Sequence, residues 1–136
     1  MVDLVLDETE LPELSPVLDR EAVLELQSAV RGVFLEAQVV RYAIALVAAT
    51  RAPAEHGLDL ERYVELGASP RASLALARAA RALALIEGDD AATPDHVKAM
   101  APAVLRHRLV PSYLADAERI TADAMIRDIL DSVPVP

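Results

Sequence analysis

Cysteine is absent from this sequence, and glycine, lysine and aromatic residues are scarce. The lack of cysteine excludes disulfides and thiolate metal sites. With four glycines, and with Lys98 as its single lysine, the chain contains no G-x-x-x-x-G-K-[ST] motif, the loop that cradles the β- and γ-phosphates of a nucleotide beside Mg²⁺. We therefore expect no ATP hydrolysis by this chain alone.

Long apolar runs and a basic N-terminus are missing as well. No run approaches the roughly 18 uncharged apolar residues that a membrane-spanning helix needs. The N-terminus carries Asp3, Asp7, Glu8 and Glu10 where a signal peptide carries basic residues. The net charge of -9 would repel a phosphate backbone. These absences predict a cytoplasmic protein that has neither a membrane nor a nucleic acid as its partner.

The residues that are present indicate a helical fold. Hydrophobic residues make up 54% of the chain and aromatic residues only 3%, so the core must consist of Ala, Leu, Val and Ile. Small side chains let helices approach each other closely, which favours an all-α fold over a β-sandwich. With 136 residues, the chain has the length of one domain with one core.

Start and stop signals divide the chain into a leading segment and a helical bundle. Residues 1–18 are acidic, contain two prolines and lack a helical period, so we interpret them as a linker or an incoming segment. Residues 19–136 form a predicted small bundle of about five helices. These helices are expected over 19–32, 36–51, 70–87 and 93–104, where Pro102 would kink or divide the helix, and from 121 onward.

The third predicted helix has the clearest start. Ser69 is expected to cap it, and Pro70 to occupy its first position, where the missing N–H costs nothing. An Ala/Leu run follows as far as Glu87, so the helix is apolar on nearly all sides and should be the central buried element. The preceding residues, 52–68, fit a loop with a short turn near 60–64.

The segment from Gly67 to Arg71 is the most informative part of the chain. A capped helix start offers free backbone N–H groups and the positive end of the helix dipole, where a phosphate group can bind. Arg71 adds a full charge there. Arg71, Arg78 and Arg81 fall within an arc of roughly 80° on the third helix. The alternative is that these arginines only solubilise the exposed edge of a buried helix and pair with acidic neighbours.

The stretch GASPRASLALARAARALALIEG followed by TPDHVKAMAPAVLRHRL resembles the C-terminal lid of the MoxR-family AAA+ ATPases, including its sensor 2 motif. The upstream segments SPVLDREAVLELQSAVRGV and YAIALVAATR and the VP ending are similar to that family too. The resemblance runs from about Leu11 to Pro136. It departs from the family pattern at Ala91 and Ala92, where an aromatic and a β-branched residue are usual, and at His96, where an acid is common.

This resemblance implies a role in a larger ATPase, whose lid closes over the nucleotide held by the core domain of the same subunit. Arg71 matches the sensor 2 arginine, which approaches the γ-phosphate and acts electrostatically in catalysis. The implied nucleotide-binding residues are Gly67, Ala68, Ser69, Pro70, Arg71, Tyr42 and Leu46. The last two would lie near the adenine, and ordinary core packing is the alternative for both.

The resemblance also implies cofactors and partners. The parent enzyme would use ATP and Mg²⁺, whereas this chain alone would bind neither tightly. Its partners would be the AAA+ core domain of the same polypeptide and the neighbouring subunits of a hexameric ring. The parent would act on a client protein, whose identity the resemblance leaves open, in chaperone-like remodelling or metal-cofactor insertion.

Other functions stay open with less support from the residues. A freestanding helical interaction module could dock a partner on the apolar seams of the second and third helices. A helix-turn-helix DNA binder is opposed by the charge of -9 and by the absence of a basic recognition helix. No metal site is expected, because His56, His96 and His107 lack a metal-ligand spacing. The cluster 106–108 suits the negative end of the fourth helix, or else contact with the core or another subunit.

Overall fold

The computed structural model describes residues 14–136. Six α-helices lie within this range: α1 (Arg20–Gly32), α2 (Ala37–Arg51), α3 (Arg71–Glu87), α4 (Pro94–Leu105), α5 (Tyr113–Glu118) and α6 (Ala122–Ser132). Four short strands accompany them: β1 (Phe34–Leu35), β2 (Val64–Leu66), β3 (Ala91–Ala92) and β4 (Val110–Pro111). A 3₁₀-helix spans Pro53–His56. The prediction of a small all-α bundle is confirmed.

Three of the predicted helix starts, at α1, α4 and α6, are formed by the side chains that the sequence suggested. The Asp19 carboxylate accepts a hydrogen bond from the Ala22 N–H at 2.8 Å, and the Thr121 hydroxyl accepts one from the Ala124 N–H at 3.2 Å. Thr93 forms a capping box at the start of α4. At the other end of α3, Gly88 has φ of 85°, a conformation in which glycine pays no Cβ penalty. Local capping chemistry therefore fixes the helix boundaries.

Helix α3 is the centre of the bundle, as predicted, and it packs against α4, α2 and α1. Its buried side chains are Ala72, Leu76, Ala80 and Ala84. Its apolar residues are not all buried, because Leu74 is 60% exposed and Ile86 is 81% exposed. The neighbouring helices therefore leave part of α3 open to solvent.

Two small sheets connect the helices, and neither was predicted from the sequence. Strand β1 pairs in parallel with β3, and β2 pairs antiparallel with β4. The interpretation of 52–68 as a simple loop is therefore incomplete, because it ends in β2. Strands of two or three residues are too short to show the alternation by which strands are recognised. Helix α5 has only six residues, so it is likewise too short for its helical period to be recognised in the sequence.

Pro102 does not divide the fourth helix, which was one of the two outcomes expected of it, and the kink stays a prediction. Helix α4 continues through Pro102 to Leu105, and the Pro102 carbonyl still accepts a hydrogen bond from the Arg106 N–H at 3.1 Å. Proline removes one donor of its own and leaves its acceptor intact, so a helix with neighbours on one side can accommodate it. Continuity of α4 lets it pack along α3.

The leading segment lies mostly outside the described residues. Residues 14–19 have neither helix nor strand, and the predicted linker at 1–13 is not among the residues that the structure describes. The boundary at residue 18 stays a prediction. Within residues 14–136, no helix combines the length and the apolar character needed to cross a membrane.

Replacing Leu76 by alanine tests whether α3 organises the core. Leu76 is fully buried, so Leu76→Ala leaves a cavity and should lower the free energy of unfolding by about 2–5 kcal/mol. Leu74→Ala on the same helix is the matched control and should change it by less than about 1 kcal/mol, because Leu74 is mostly exposed. Urea unfolding of both variants measures the difference. Equal losses would contradict the assignment of the α3 faces.

Candidate functional site

The segment from Gly67 to Arg71 is held against the C-terminal end of α2. Thr50 is fully buried, and its hydroxyl accepts a hydrogen bond from the Ala68 N–H at 2.9 Å while donating to the Val47 carbonyl at 2.7 Å. One hydroxyl thus satisfies two buried backbone groups that belong to different segments of the chain. This bridge fixes the path by which the chain enters α3.

Gly67 is required at this point because the backbone of α2 leaves no room for a side chain. A Cβ atom at Gly67 would lie 2.3 Å from the Thr50 carbonyl oxygen and 2.7 Å from the Arg51 Cα. Both distances are well inside van der Waals contact, and neither backbone atom can move without displacing α2. The glycine therefore allows the close approach that brings Ala68 within reach of the Thr50 hydroxyl.

The start of α3 differs from the prediction in how its backbone groups are satisfied. Pro70 already has helical dihedral angles, and no side-chain cap is formed, so the expected cap by Ser69 is wrong. Instead, the Ser69 carbonyl accepts from the Ala72 N–H at 2.8 Å, and the Pro70 carbonyl accepts from the Ser73 N–H at 3.2 Å and from the Ser73 hydroxyl at 2.7 Å.

The expected cradle of free backbone N–H groups is therefore reduced. The amides of Ala68, Ala72 and Ser73 all donate within the chain, and Pro70 has no N–H. What this helix start presents to a ligand is mainly the charge of Arg71. The Arg71 side chain is exposed and forms no salt bridge with any other residue of the range 14–136.

A groove of about 660 Å³ lies beside this segment. Gly67, Ser69 and Pro70 form one side of it. Basic residues from two other parts of the chain line it as well, namely Arg51, His107 and Arg108. The groove also contains the carboxylate of Glu65. The fold thus brings the predicted loop together with basic groups that lie far from it in the sequence.

The cluster 106–108 follows the end of α4, and its arginines have structural partners. The Arg108 guanidinium donates to the Val104 carbonyl in the last turn of the helix. The Arg106 Nε donates to the Asp123 carboxylate on α6 at 2.6 Å. These contacts agree with the predicted role of cations at a helix C-terminus. Arg108 combines that role with a place in the groove.

Tyr42 and Leu46 lie in the hydrophobic core. Leu46 is fully buried and Tyr42 is 3% exposed, so the side chains have almost no surface on which a base could stack. The Tyr42 hydroxyl is buried without a hydrogen-bond partner in the described part of the chain. Burial raises the pKa of Tyr42, and the nearby charge of Asp95 raises it further. Their burial favours core packing, and the contact with adenine stays a prediction.

His96 occupies a polar cluster that the scattered histidines in the sequence did not reveal. Its Nδ1 accepts a hydrogen bond from the Thr93 N–H at 2.9 Å, so the ring proton lies on Nε2. Nε2 lies 2.9 Å from Glu87 Oε2 and 3.2 Å from Asp89 Oδ2. A metal ion on Nε2 would need that proton to move to Nδ1, opposite the Thr93 donor. The His96 ring therefore takes part in the capping box at the start of α4.

Comparisons with known proteins agree with this geometry. The family model of the AAA lid domain matches residues 58–129, more than half of the chain. This chain is an AAA lid domain. Chaperone MoxR1 of Mycobacterium tuberculosis is 40% identical over 92% of this chain and 33% of its own length. Protein MoxR of Methylorubrum extorquens is 35% identical over 88% of this chain and 37% of its own length. The resemblance to the MoxR family is confirmed.

A solved structure supports the same assignment for this lid domain. The crystal structure of a candidate ATPase from Cytophaga hutchinsonii matches it with a TM-score of 0.88 and 34% identity, over 97% of this chain and 40% of that chain. The lid domain spans about a third to two-fifths of the length of these relatives.

Arg71 and the loop before it are predictable from the sequence, whereas the residues that support them are not. Thr50 and Arg51 end the segment YAIALVAATR, whose family resemblance assigns no role to either residue. The importance of Thr50 comes from a contact across 18 positions of sequence, with Ala68, and Arg51 follows it at the edge of the groove. Periodicity cannot reveal such a contact, although a buried threonine beside a glycine is the kind of pair that produces it.

Gly67→Ala should disturb the candidate site. The added methyl group meets the backbone of α2, so we expect the free energy of unfolding to fall by about 1–3 kcal/mol. Gly32→Ala is the matched control, because a Cβ at Gly32 meets no atom within 4 Å, and it should leave stability unchanged or raise it by up to about 1 kcal/mol. Thermal and urea unfolding compare the two. An unchanged free energy of unfolding in Gly67→Ala would contradict the close approach of Gly67 to the backbone of α2.

Tyr42→Phe should stabilise the domain. The substitution removes a buried hydroxyl that lacks a partner, so we expect a gain of about 1 kcal/mol near pH 7. The pKa of Tyr42 is raised in the folded state, so the folded domain keeps this hydroxyl protonated more strongly than the unfolded chain does. The stability that this difference contributes to the unsubstituted domain is fully present below the unfolded pKa of about 10, and it is lost as the pH rises through the folded pKa.

The gain should therefore grow between about pH 7 and pH 11, as measured by urea unfolding at both values. A loss of stability in Tyr42→Phe would mean that its hydroxyl has a partner after all.

Proposed function

We propose that this lid domain closes over ATP bound by the core domain of the same polypeptide, with Arg71 as the sensor 2 residue of an ATP-hydrolysing MoxR-type protein. The observation that carries the proposal is the exposed guanidinium of Arg71, which forms no salt bridge within residues 14–136, at a helix start fixed by Thr50 and Gly67. The similarity to MoxR proteins supports it.

The role assigned to Arg71 is electrostatic. ATP would supply the phosphoryl group whose oxygens gain charge during transfer, and a fixed guanidinium beside them lowers the barrier. Fixing the helix start matters because a pre-oriented charge needs no reorganisation during the reaction. In the proposed enzyme, Thr50 and Gly67 act as positioning residues, which place Arg71 without touching the nucleotide.

The residues around Arg71 supply only part of a phosphate-binding site. Arg51 and Arg108 add positive charge to the adjoining groove, while most amides of the helix start are already used. We therefore assign the remaining phosphate contacts and the Mg²⁺ ligands to the core domain. On this basis Gly67, Ala68, Ser69 and Pro70 shape the approach to Arg71, and the lid domain alone would not bind ATP tightly.

For the whole protein we propose a chaperone-like ATPase of the cytoplasm, assembled as a hexameric ring in which neighbouring subunits contact the lid. Of the two client activities that the resemblance implies, we favour chaperone-like remodelling over metal-cofactor insertion, because the similar protein of Mycobacterium tuberculosis is named a chaperone. ATP binding and hydrolysis would reach the client as a movement of the lid relative to the core.

A freestanding interaction module that uses the seams of the second and third helices has less support. These seams are filled by the chain itself, since Val39, Leu46 and Val47 of α2 and Leu76 of α3 are buried in its own core. A partner helix could enter only by displacing this packing. The helix-turn-helix alternative likewise gains nothing, because the overall charge is -9.

Substituting Arg71 in the full-length protein tests the proposed function. By comparison with arginine fingers, Arg71→Ala should lower ATP turnover on the order of 10³-fold, because it removes a charge that acts on the transferring phosphoryl group. Arg71→Lys should restore only part of the loss, since lysine lacks the planar bidentate fork. Steady-state phosphate release measures both.

Arg41→Ala is the control, because Arg41 is an exposed arginine on α2 outside the groove and should leave turnover unchanged. The stability of the Arg71 variants should match that of the unsubstituted protein, since the Arg71 side chain is exposed. Normal turnover by Arg71→Ala would refute the sensor 2 assignment.

A further inference from the structure

Helix α1 is amphipathic, and its apolar side lacks a full partner within the described chain. No residue of α1 is buried. Val23, Leu24 and Leu26 remain 41%, 53% and 46% exposed, although α1 contacts α3. An exposed apolar stripe on a regular helix is a common mark of a protein-binding surface.

An arginine-lined cavity lies between α1 and α3, one turn further along α1. Its volume is about 530 Å³, and it is lined by Gln27, Val30 and Arg31 of α1 and by Arg78 and Arg81 of α3. We call it the arginine cavity. Val23 and Leu24 precede Gln27 by four and three residues, so they lie on the same side of the helix. Charge and apolar surface are therefore adjacent.

The three arginines of this cavity lack an acidic partner at salt-bridge distance in the part of the chain that the structure describes. Within residues 14–136 none of them forms a salt bridge. The Nε of Arg81 is buried and has no hydrogen-bond partner there. An unsatisfied buried donor costs roughly 1–3 kcal/mol, and neighbouring guanidinium groups repel each other. Both costs are relieved when a carboxylate enters, because it accepts two hydrogen bonds from one guanidinium.

We propose that an acidic protein surface, supplied by the part of the polypeptide that lies outside this chain, packs on α1 and places one or more carboxylates in the arginine cavity. The proposal rests on the proposed function, since it requires the longer polypeptide. Well over half of each similar protein lies outside the matched region, which leaves ample chain to cover α1. This contact would anchor the lid at a place separate from Arg71.

A protein surface fits this site better than a free phosphate or a nucleotide. A phosphate group could neutralise Arg31, Arg78 and Arg81, but it would leave Val23 and Leu24 in water. A folded segment with an acid beside apolar side chains covers both at once. Arginine next to apolar residues is also the composition that protein interfaces favour.

Zero-length cross-linking of the full-length protein tests this assignment. Arg31→Lys and Arg78→Lys keep the positive charge and introduce an amine, which carbodiimide couples to any carboxylate in direct contact. Lys98 is the only native lysine of this chain, so new cross-links are easily assigned by peptide mass spectrometry. We expect both variants to couple to Asp or Glu residues outside this chain, several-fold more than the control Arg41→Lys.

Three results would overturn the proposal. Coupling only to carboxylates within this chain, including its acidic N-terminal residues, would make the arginine cavity an internal salt-bridge site. Coupling no stronger than in Arg41→Lys would show that no carboxylate enters. Phosphate-dependent protection of the new lysines without any protein cross-link would assign the cavity to a phosphate ligand.

The readout is independent of ATP turnover, so it separates this inference from the proposed function. A protein that cross-links as expected and hydrolyses no ATP would support the docking surface and refute the ATPase role. Circular dichroism and thermal unfolding of Arg31→Lys and Arg78→Lys, measured alongside, report whether each variant is folded.

Discussion

The contact between Thr50 and the Gly67–Ala68 backbone is the constraint on which the candidate site depends. Its hydroxyl joins the last turn of α2 to the segment that leads into α3, and the approach is so close that only glycine fits. Because the helix begins four residues after Gly67, this contact determines where Arg71 lies. The position of Arg71 therefore depends on the neutral, buried hydrogen bond of Thr50 and on the absence of a side chain at Gly67.

Alanine packing explains how a chain with so few aromatic residues supports this arrangement. The side of α3 that meets its neighbours consists mainly of Ala72, Ala80 and Ala84 with Leu76, all fully buried. Small side chains bring helix axes close and leave few rotamers to order on folding. The opposite side of α3 is then free to carry arginines. Two of them, Arg78 and Arg81, line the cavity against α1.

Much of this fold follows from local signals in the sequence. Asp19, Thr93 and Thr121 cap the helices they were predicted to begin, and the burial of Met125, Ile126 and Ile129 on α6 follows from their spacing. The short strands, the Thr50 bridge and the His96 cluster depend on contacts between distant segments, which periodicity does not encode. The expected amide cradle is reduced for a related reason: the Ala72 and Ser73 amides donate to backbone carbonyls in turns, and the Ala68 amide donates to Thr50.

A structure of the full-length protein bound to a slowly hydrolysed ATP analogue would test the role of Arg71 directly. We predict the Arg71 guanidinium at hydrogen-bond distance, about 3 Å, from an oxygen of the γ-phosphate, with the Thr50 bridge intact. A γ-phosphate held entirely by other residues, with Arg71 pointing into solvent in the closed lid, would contradict it.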